Sequence, residues 1–139
     1  MQKVHVIAHT HWDFEWYFTR QQARVQFAYH MAEVLQALAD NQLDSYLLDG
    51  QLAIVDDYLQ TNPDKRAAMM RFVKARRLFI GPWYTQIDEM VTSGEAIVRN
   101  LQLGHKLAAD LGGVMKVGYL PDSFGQGQDM PKIYQGFDI

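Results

Sequence analysis

Four short stretches hold most of the residues able to do chemistry. They are His9-Thr10-His11-Trp12-Asp13-Phe14-Glu15-Trp16-Tyr17, then Asp49-Gly50-Gln51, then Gly81-Pro82-Trp83-Tyr84-Thr85-Gln86 with Asp88 and Glu89 close behind, and finally Pro121-Asp122-Ser123-Phe124-Gly125-Gln126. His11-x-Asp13 has the spacing of a metal-ligand pair on an extended or loop backbone, and imidazole nitrogen and carboxylate oxygen are both good zinc donors. Asp122 offers a third ligand, and a catalytic centre needs about three protein ligands plus an open position. The competing reading is that His11 and Asp13 only hydrogen-bond loop backbone. Trp16, Trp83 and Tyr84 have faces on which a sugar ring can pack, although loop aromatics also serve as lids over a core. Glycoside cleavage uses a pair of carboxyl groups, about 5 Å apart in retaining enzymes. Asp13 and Asp122 are the central candidates, with Asp49, Asp88 and Glu89 behind them. Asp49, just before Gly50, equally suits capping the helix that follows.

The elements that must carry these residues alternate in type. Lys3–Ala8 reads as a β-branched strand, and Val25–Asp40 as a helix with apolar residues at Phe27, Met31, Val34, Leu35 and Leu38. Tyr46–Asp49 is a second strand. Leu52–Leu59 and Asp64–Ala75 follow as helices, the latter opened by Asn62-Pro63. Leu78–Ile80 is a third strand stopped by Gly81-Pro82. A helix capped by Thr92 or Ser93 runs to Leu111 and ends at Gly112-Gly113. Lys116–Leu120 is a fourth strand, Asp129–Gln135 a short helix, and Phe137-Asp138-Ile139 the opening of a fifth strand. This alternation means βα units around a parallel sheet. In such folds ligands gather at the carboxyl ends of the strands, where all four polar stretches fall. The remaining histidines, His5, His30 and His105, lie inside regular elements and are assigned packing roles.

Composition excludes several function classes. The 139 residues are 48% hydrophobic and 21% charged, a globular mix of single-domain size. Thirteen basic against sixteen acidic residues give a net charge of −3, which argues against nucleic-acid or anionic-membrane partners. Cysteine is absent, so there are no disulfides, thiolate nucleophiles or Cys-ligated zinc, and a reducing, cytoplasmic compartment is expected. No apolar run approaches the ~18 residues of a membrane span.

The four stretches, together with Leu48-Asp49-Gly50-Gln51, Ser93-Gly94-Glu95-Ala96-Ile97-Val98-Arg99-Asn100-Leu101 and Gly118-Tyr119-Leu120-Pro121-Asp122-Ser123-Phe124-Gly125, make the chain resemble the N-terminal part of the family 38 glycoside hydrolases, the α-mannosidases. The matches run in the family's order over nearly the whole chain. Within the family it is most similar to the bacterial branch that includes mannosylglycerate hydrolases. The resemblance implies an α/β fold, a parallel-stranded (β/α)7-type barrel of which this chain supplies about the first four to five strands. Residues 1–139 would then be the N-terminal portion of the catalytic domain. It further implies one zinc ion, with His11 and Asp13 as the family's H-x-D ligand pair and Asp122 as both ligand and catalytic nucleophile. Trp16 falls on the floor of the sugar site, and Asp49, Trp83 and Asp88 fall on motif positions assigned to substrate binding. The implied reaction is retaining, zinc-dependent hydrolysis of an α-mannoside, mannosylglycerate or its phosphorylated form among them. Phe14 departs from the pattern, since many bacterial relatives carry a basic residue there. The family's fourth metal ligand, a histidine, and its general acid, an aspartate, come from later in the chain and have no counterpart in these residues. The fragment alone is therefore expected to be inactive.

Two other readings compete. His9-Thr10-His11 resembles the H-x-H pair of metal-dependent amidohydrolases, and deacetylases also mix His and Asp ligands. A non-catalytic folded segment is the other. Removing His9 discriminates the first, and failure to bind zinc or sugar would favour the second.

Overall fold

The computed structural model describes residues 2–139. Its strands are β1 (His9–Thr10), β2 (Tyr46–Leu48) and β3 (Leu78–Phe79), and its helices α1 (Arg20–Ala39), α2 (Leu52–Thr61), α3 (Arg66–Lys74), α4 (Gly94–Leu111) and α5 (Met130–Gln135). A 3-10 turn at Pro63–Lys65 leads into α3. The strands form one parallel sheet in the order β1-β2-β3, with His9 opposite Leu47 and Tyr46 opposite Leu78. An α/β fold with a small parallel sheet is therefore observed.

Helix α1 begins five residues earlier than the apolar periodicity suggests. Thr19 and Gln22 make a reciprocal capping box there, which satisfies two backbone donors and starts the helix at Arg20, with Ala23 already buried in the first turn. Ser93 caps α4 by accepting from the Ala96 N–H at 3.3 Å, as expected. Leu48, Leu52, Ile54, Leu78 and Ile80 meet Phe27, Met31 and Leu38 of α1, Met69 and Phe72 of α3 and Ala108 of α4 in the main core. A second cluster joins Trp83, Ile97, Leu101 and Met130.

The strands are shorter than expected, for a reason of pairing. β2 has three residues, so β1 finds partners only from Ala8 onward, where the Ala8 carbonyl accepts from the Leu47 N–H at 2.9 Å. Lys3–Ile7 runs past the start of β2 and is exposed, His5 with it. Lys116–Leu120 is not a strand: the ladder bond nearest to it is a single one just outside both segments, from the Met115 N–H to the carbonyl of Ile80, the residue after β3, at 2.8 Å. Phe137-Asp138-Ile139 does not open a strand either, because residues 136–138 turn back on α5. A ladder needs a neighbour on which to form. The sheet face carrying Leu47 lines an open cavity of about 750 Å³ with Ile7, Leu78, Ile80, Val114 and Val117.

Candidate active site

The loops that leave β1, β2 and β3 are laced together by side chains. The pairing of β2 and β3 extends past the strands as a parallel bridge between Gln51 and Trp83. Gln51 Oε1 accepts from Thr85 Oγ1 at 3.1 Å and from the Gln86 N–H at 3.0 Å. Its Nε2 donates to Asp49 Oδ2 at 2.6 Å and to the Trp12 carbonyl at 3.2 Å. Gln86 Nε2 donates in turn to the Asp49 carbonyl at 3.0 Å. Trp12 packs edge-on against Phe27 of α1, ring centroids 5.0 Å apart, and so anchors the β1 loop to the core.

His11 lies where these loops converge. Its Nδ1 is 2.9 Å from Asp49 Oδ1, while its Nε2 is 3.4 Å from Asp13 Oδ1 and 3.2 Å from Asp122 Oδ2. Asp49 is fully buried, whereas the Asp122 side chain is 77% exposed. Burial works to lower the His11 pKa, but the bond to Asp49 and the charges of Asp49, Asp13 and Asp122 outweigh it, so the value lies above 6.5. Burial also pushes the Asp49 carboxyl above its ordinary value, against the donors Gln51, Trp12 and His11. Asp49 (φ 38°) and Asp122 (φ 56°) both adopt the left-handed backbone region, which a non-glycine residue enters at a cost and which recurs at functional sites.

The other expected site residues are placed differently. Trp16 is exposed and stacked on Tyr17 at 4.4 Å between ring centroids, available to a ligand. Trp83 is fully buried, and its Nε1 donates to the Tyr119 carbonyl at 3.0 Å. It offers no face to a sugar and serves as core beneath the rim. Asp49 likewise has no surface for a substrate, and it does not cap α2, whose N-cap is Gln51. Asp88 turns its carboxylate onto the Met90 N–H at 2.9 Å, closing its own loop. His9 is exposed. His30 contacts the Tyr46 hydroxyl at 3.2 Å and stacks beside Trp12, the packing role expected of it. Sequence reasoning missed Gln51 and Gln86 as the links between loops; the signal was Gln51 following Asp49-Gly50 directly.

Among the described residues no set of three or more His, Asp or Glu side chains has the arrangement of a finished metal site. The donor set around His11 nevertheless suits a divalent cation. One imidazole nitrogen faces two carboxylates, while the other is tied to a buried carboxylate, the outer partner that zinc-binding histidines usually have.

Residues 1–139 match the N-terminal domain of the glycosyl hydrolases family 38. The chain belongs to this family. It is 38% identical over 132 residues to a Halalkalibacterium halodurans protein named "Putative mannosylglycerate hydrolase", covering 94% of this chain and 15% of that one. A crystal structure of an α-mannosidase from Enterococcus faecalis superposes with a TM-score of 0.90 at 36% identity, covering 95% of this chain and 15% of the other. A second family 38 structure from the same organism gives a TM-score of 0.80 at 34% identity, over 93% of this chain and 15% of that one. The family 38 chain described here thus spans about 15% of the length of the relatives it matches. No described helix is long and apolar enough to cross a membrane.

Proposed function

We propose that the full-length protein hydrolyses α-mannosides with retention of configuration, at a zinc site to which this segment contributes His11, Asp13 and Asp122. The segment is then the N-terminal portion of a catalytic (β/α)7-type barrel, and its lack of cysteine suits a cytoplasmic setting. The observation that carries the reading is the seat of His11, with Nδ1 held by Asp49 and Nε2 turned to Asp13 and Asp122 at 3.4 and 3.2 Å. The names of the relatives supply the substrate class, and mannosylglycerate is the member that one of them names.

A bound zinc ion would supply Lewis acidity towards sugar hydroxyls and hold Asp122 in its ionised form. Asp122 is the nucleophile. Its exposure and left-handed backbone present a carboxylate oxygen outward from the loop. That oxygen bonds to the anomeric carbon as the glycosidic C–O bond breaks, and the departing oxygen takes a proton from an acid contributed by a later segment. Water then gives a proton to the conjugate base of that acid, bonds through its oxygen to the anomeric carbon and frees Asp122 as a carboxylate, so two inversions restore the original configuration. Trp16 supplies an exposed aromatic face on which the C–H side of the sugar packs.

Asp122→Ala is the test. In the full-length protein it abolishes turnover of an aryl α-mannoside while the fold, read by circular dichroism, is retained; near wild-type activity would refute the assignment. His9→Ala leaves zinc bound here and strips it under the amidohydrolase reading. The 139-residue segment alone shows no hydrolysis, because the acid and the fourth ligand lie elsewhere.

A further inference from the structure

Asp49 is surrounded by donors on every side that is described. Oδ1 faces His11 Nδ1 at 2.9 Å, and Oδ2 accepts from the Trp12 N–H at 2.8 Å and from Gln51 Nε2 at 2.6 Å. The Gln51 amide cannot be turned over, because its Oε1 already accepts from Thr85 Oγ1 and the Gln86 N–H. The Asp49 backbone is pinned as well, its carbonyl accepting from Gln86 Nε2 and the Gly50 N–H closing a tight turn onto the Leu48 carbonyl at 2.6 Å. With no exposed surface, this carboxylate meets neither solvent nor sugar.

A carboxylate accepts hydrogen bonds and does not donate them. A neutral His11 beside Asp49 therefore carries its proton on Nδ1 and leaves the Nε2 lone pair towards Asp13 and Asp122. The carboxylates at the other end compete weakly for that proton. Asp13 and Asp122 are 45% and 77% exposed and open to solvent, whereas Asp49 is closed off from it and has nothing to replace the imidazole. We infer that Asp49 is a positioning residue that selects the Nδ1–H tautomer of His11 and so keeps Nε2 open for the cation. The inference rests on the reading of His11 as a metal ligand.

The amide variant makes this testable, because Asp49→Asn preserves shape and reverses one hydrogen bond. With the Asn oxygen towards Trp12 and Gln51, its Nδ2–H donates to His11 Nδ1, and the ring proton moves to Nε2, the atom the cation requires. The opposite rotamer sets an NH2 group against two donors and leaves all of them unsatisfied, which costs more. Two readouts in the full-length protein follow. With histidine-selective 15N labelling, the metal-free wild type shows Nδ1–H at a pH where the ring is neutral, and Asp49→Asn shows Nε2–H. Competition with a chromophoric chelator gives a zinc Kd weakened on the order of 10–100-fold in Asp49→Asn.

Asp57→Asn is the control: it removes another buried carboxylate, bound to Arg20 and Arg24 rather than to His11, and leaves both readouts unchanged. Should Asp49→Asn fail to fold, Asp49→Ser accepts from Trp12 but falls short of His11 and shows the same loss of zinc. An Asp49→Asn protein with the wild-type tautomer and zinc Kd overturns the inference, as does an equal loss of zinc in Asp57→Asn. A wild-type protein that binds no zinc overturns the metal reading instead, and the tautomer measurement then decides the part played by Asp49 by itself.

Discussion

Gly104 lies in α4 where the helix crosses the loop that follows β3. A Cβ built there would stand 2.5 Å from Tyr84 N and closer still to the Pro82 oxygen and the Trp83 carbonyl carbon. All three are backbone atoms, so no side chain can swing aside, and helix and loop must separate by about 1 Å to restore ordinary contact distances. Two effects oppose each other in Gly104→Ala. Alanine favours a helix interior over glycine by about 1 kcal/mol. Overpacking a filled site costs about 1–3 kcal/mol, and here the upper part of that range applies. The displaced loop carries the fully buried Trp83 and the Tyr84 and Thr85 N–H groups, which Asn100 Oδ1 accepts at 2.9 and 3.2 Å. The net is a loss of about 1–2 kcal/mol, and a melting temperature lower on the order of 5 °C. Gly94 supplies the internal comparison, since it lies in the same helix with nothing within 4 Å of a built Cβ. Gly94→Ala keeps only the propensity term and holds or raises the melting temperature. Thermal unfolding therefore separates the two variants, with a fall for Gly104→Ala against no change or a rise for Gly94→Ala. A Gly104→Ala protein as stable as the wild type would refute the steric argument.

Two further outcomes concern charge. Asp57 of α2 is buried beside α1, where the Arg24 and Arg20 guanidinium groups hold its carboxyl below the ordinary 3.8 despite burial. Its contribution is fully present above the unfolded value and is lost as pH falls through the depressed folded value. Asp57→Asn lowers the melting temperature at pH 7 on the order of 5 °C, and the gap from wild type closes in strong acid; a constant gap down to pH 2 contradicts the pairing. His11 is raised above 6.5 by Asp49, Asp13 and Asp122 acting against burial, and a zinc ion bound as proposed would have to displace its proton. Zinc affinity measured by chelator competition thus falls about tenfold per pH unit below that raised value; affinity that rises on acidification would exclude His11 as a ligand.

The helices were legible because burial of one face leaves a periodic trace, as at Phe27, Met31, Val34, Leu35 and Leu38. The N-terminal boundary of α1 was missed because Thr19 and Gln22 carry a capping signal without any apolar pattern. Strand ends were not legible: Lys3–Ile7 has the composition of a strand, but pairing depends on where β2 begins, which is a property of another segment. The meeting of His11, Asp13 and Asp49 followed from their places just after β1 and β2, whereas Asp122 reaches His11 from a segment that forms no strand. The difference in burial between exposed Trp16 and buried Trp83, both expected at the sugar site, did not follow from position, because indole has the same chemistry as a sugar platform and as core. Asp49 was legible as a site residue and illegible as a buried acceptor, since that depends on Gln51 and Gln86 arriving from two loops.

The parallel order of the sheet also has a consequence in time. Parallel neighbours cannot be joined by a tight turn, so His11 and Asp49, 38 residues apart in the chain, meet only after α1 has folded back across the sheet. Closing a loop of that length costs entropy before any contact repays it, and pairings of this kind form late. The helices can assemble from local contacts while the imidazole still tumbles in water. A nascent chain therefore acquires its shape before its chemistry, and the environment of one histidine ring marks the moment when the second is complete.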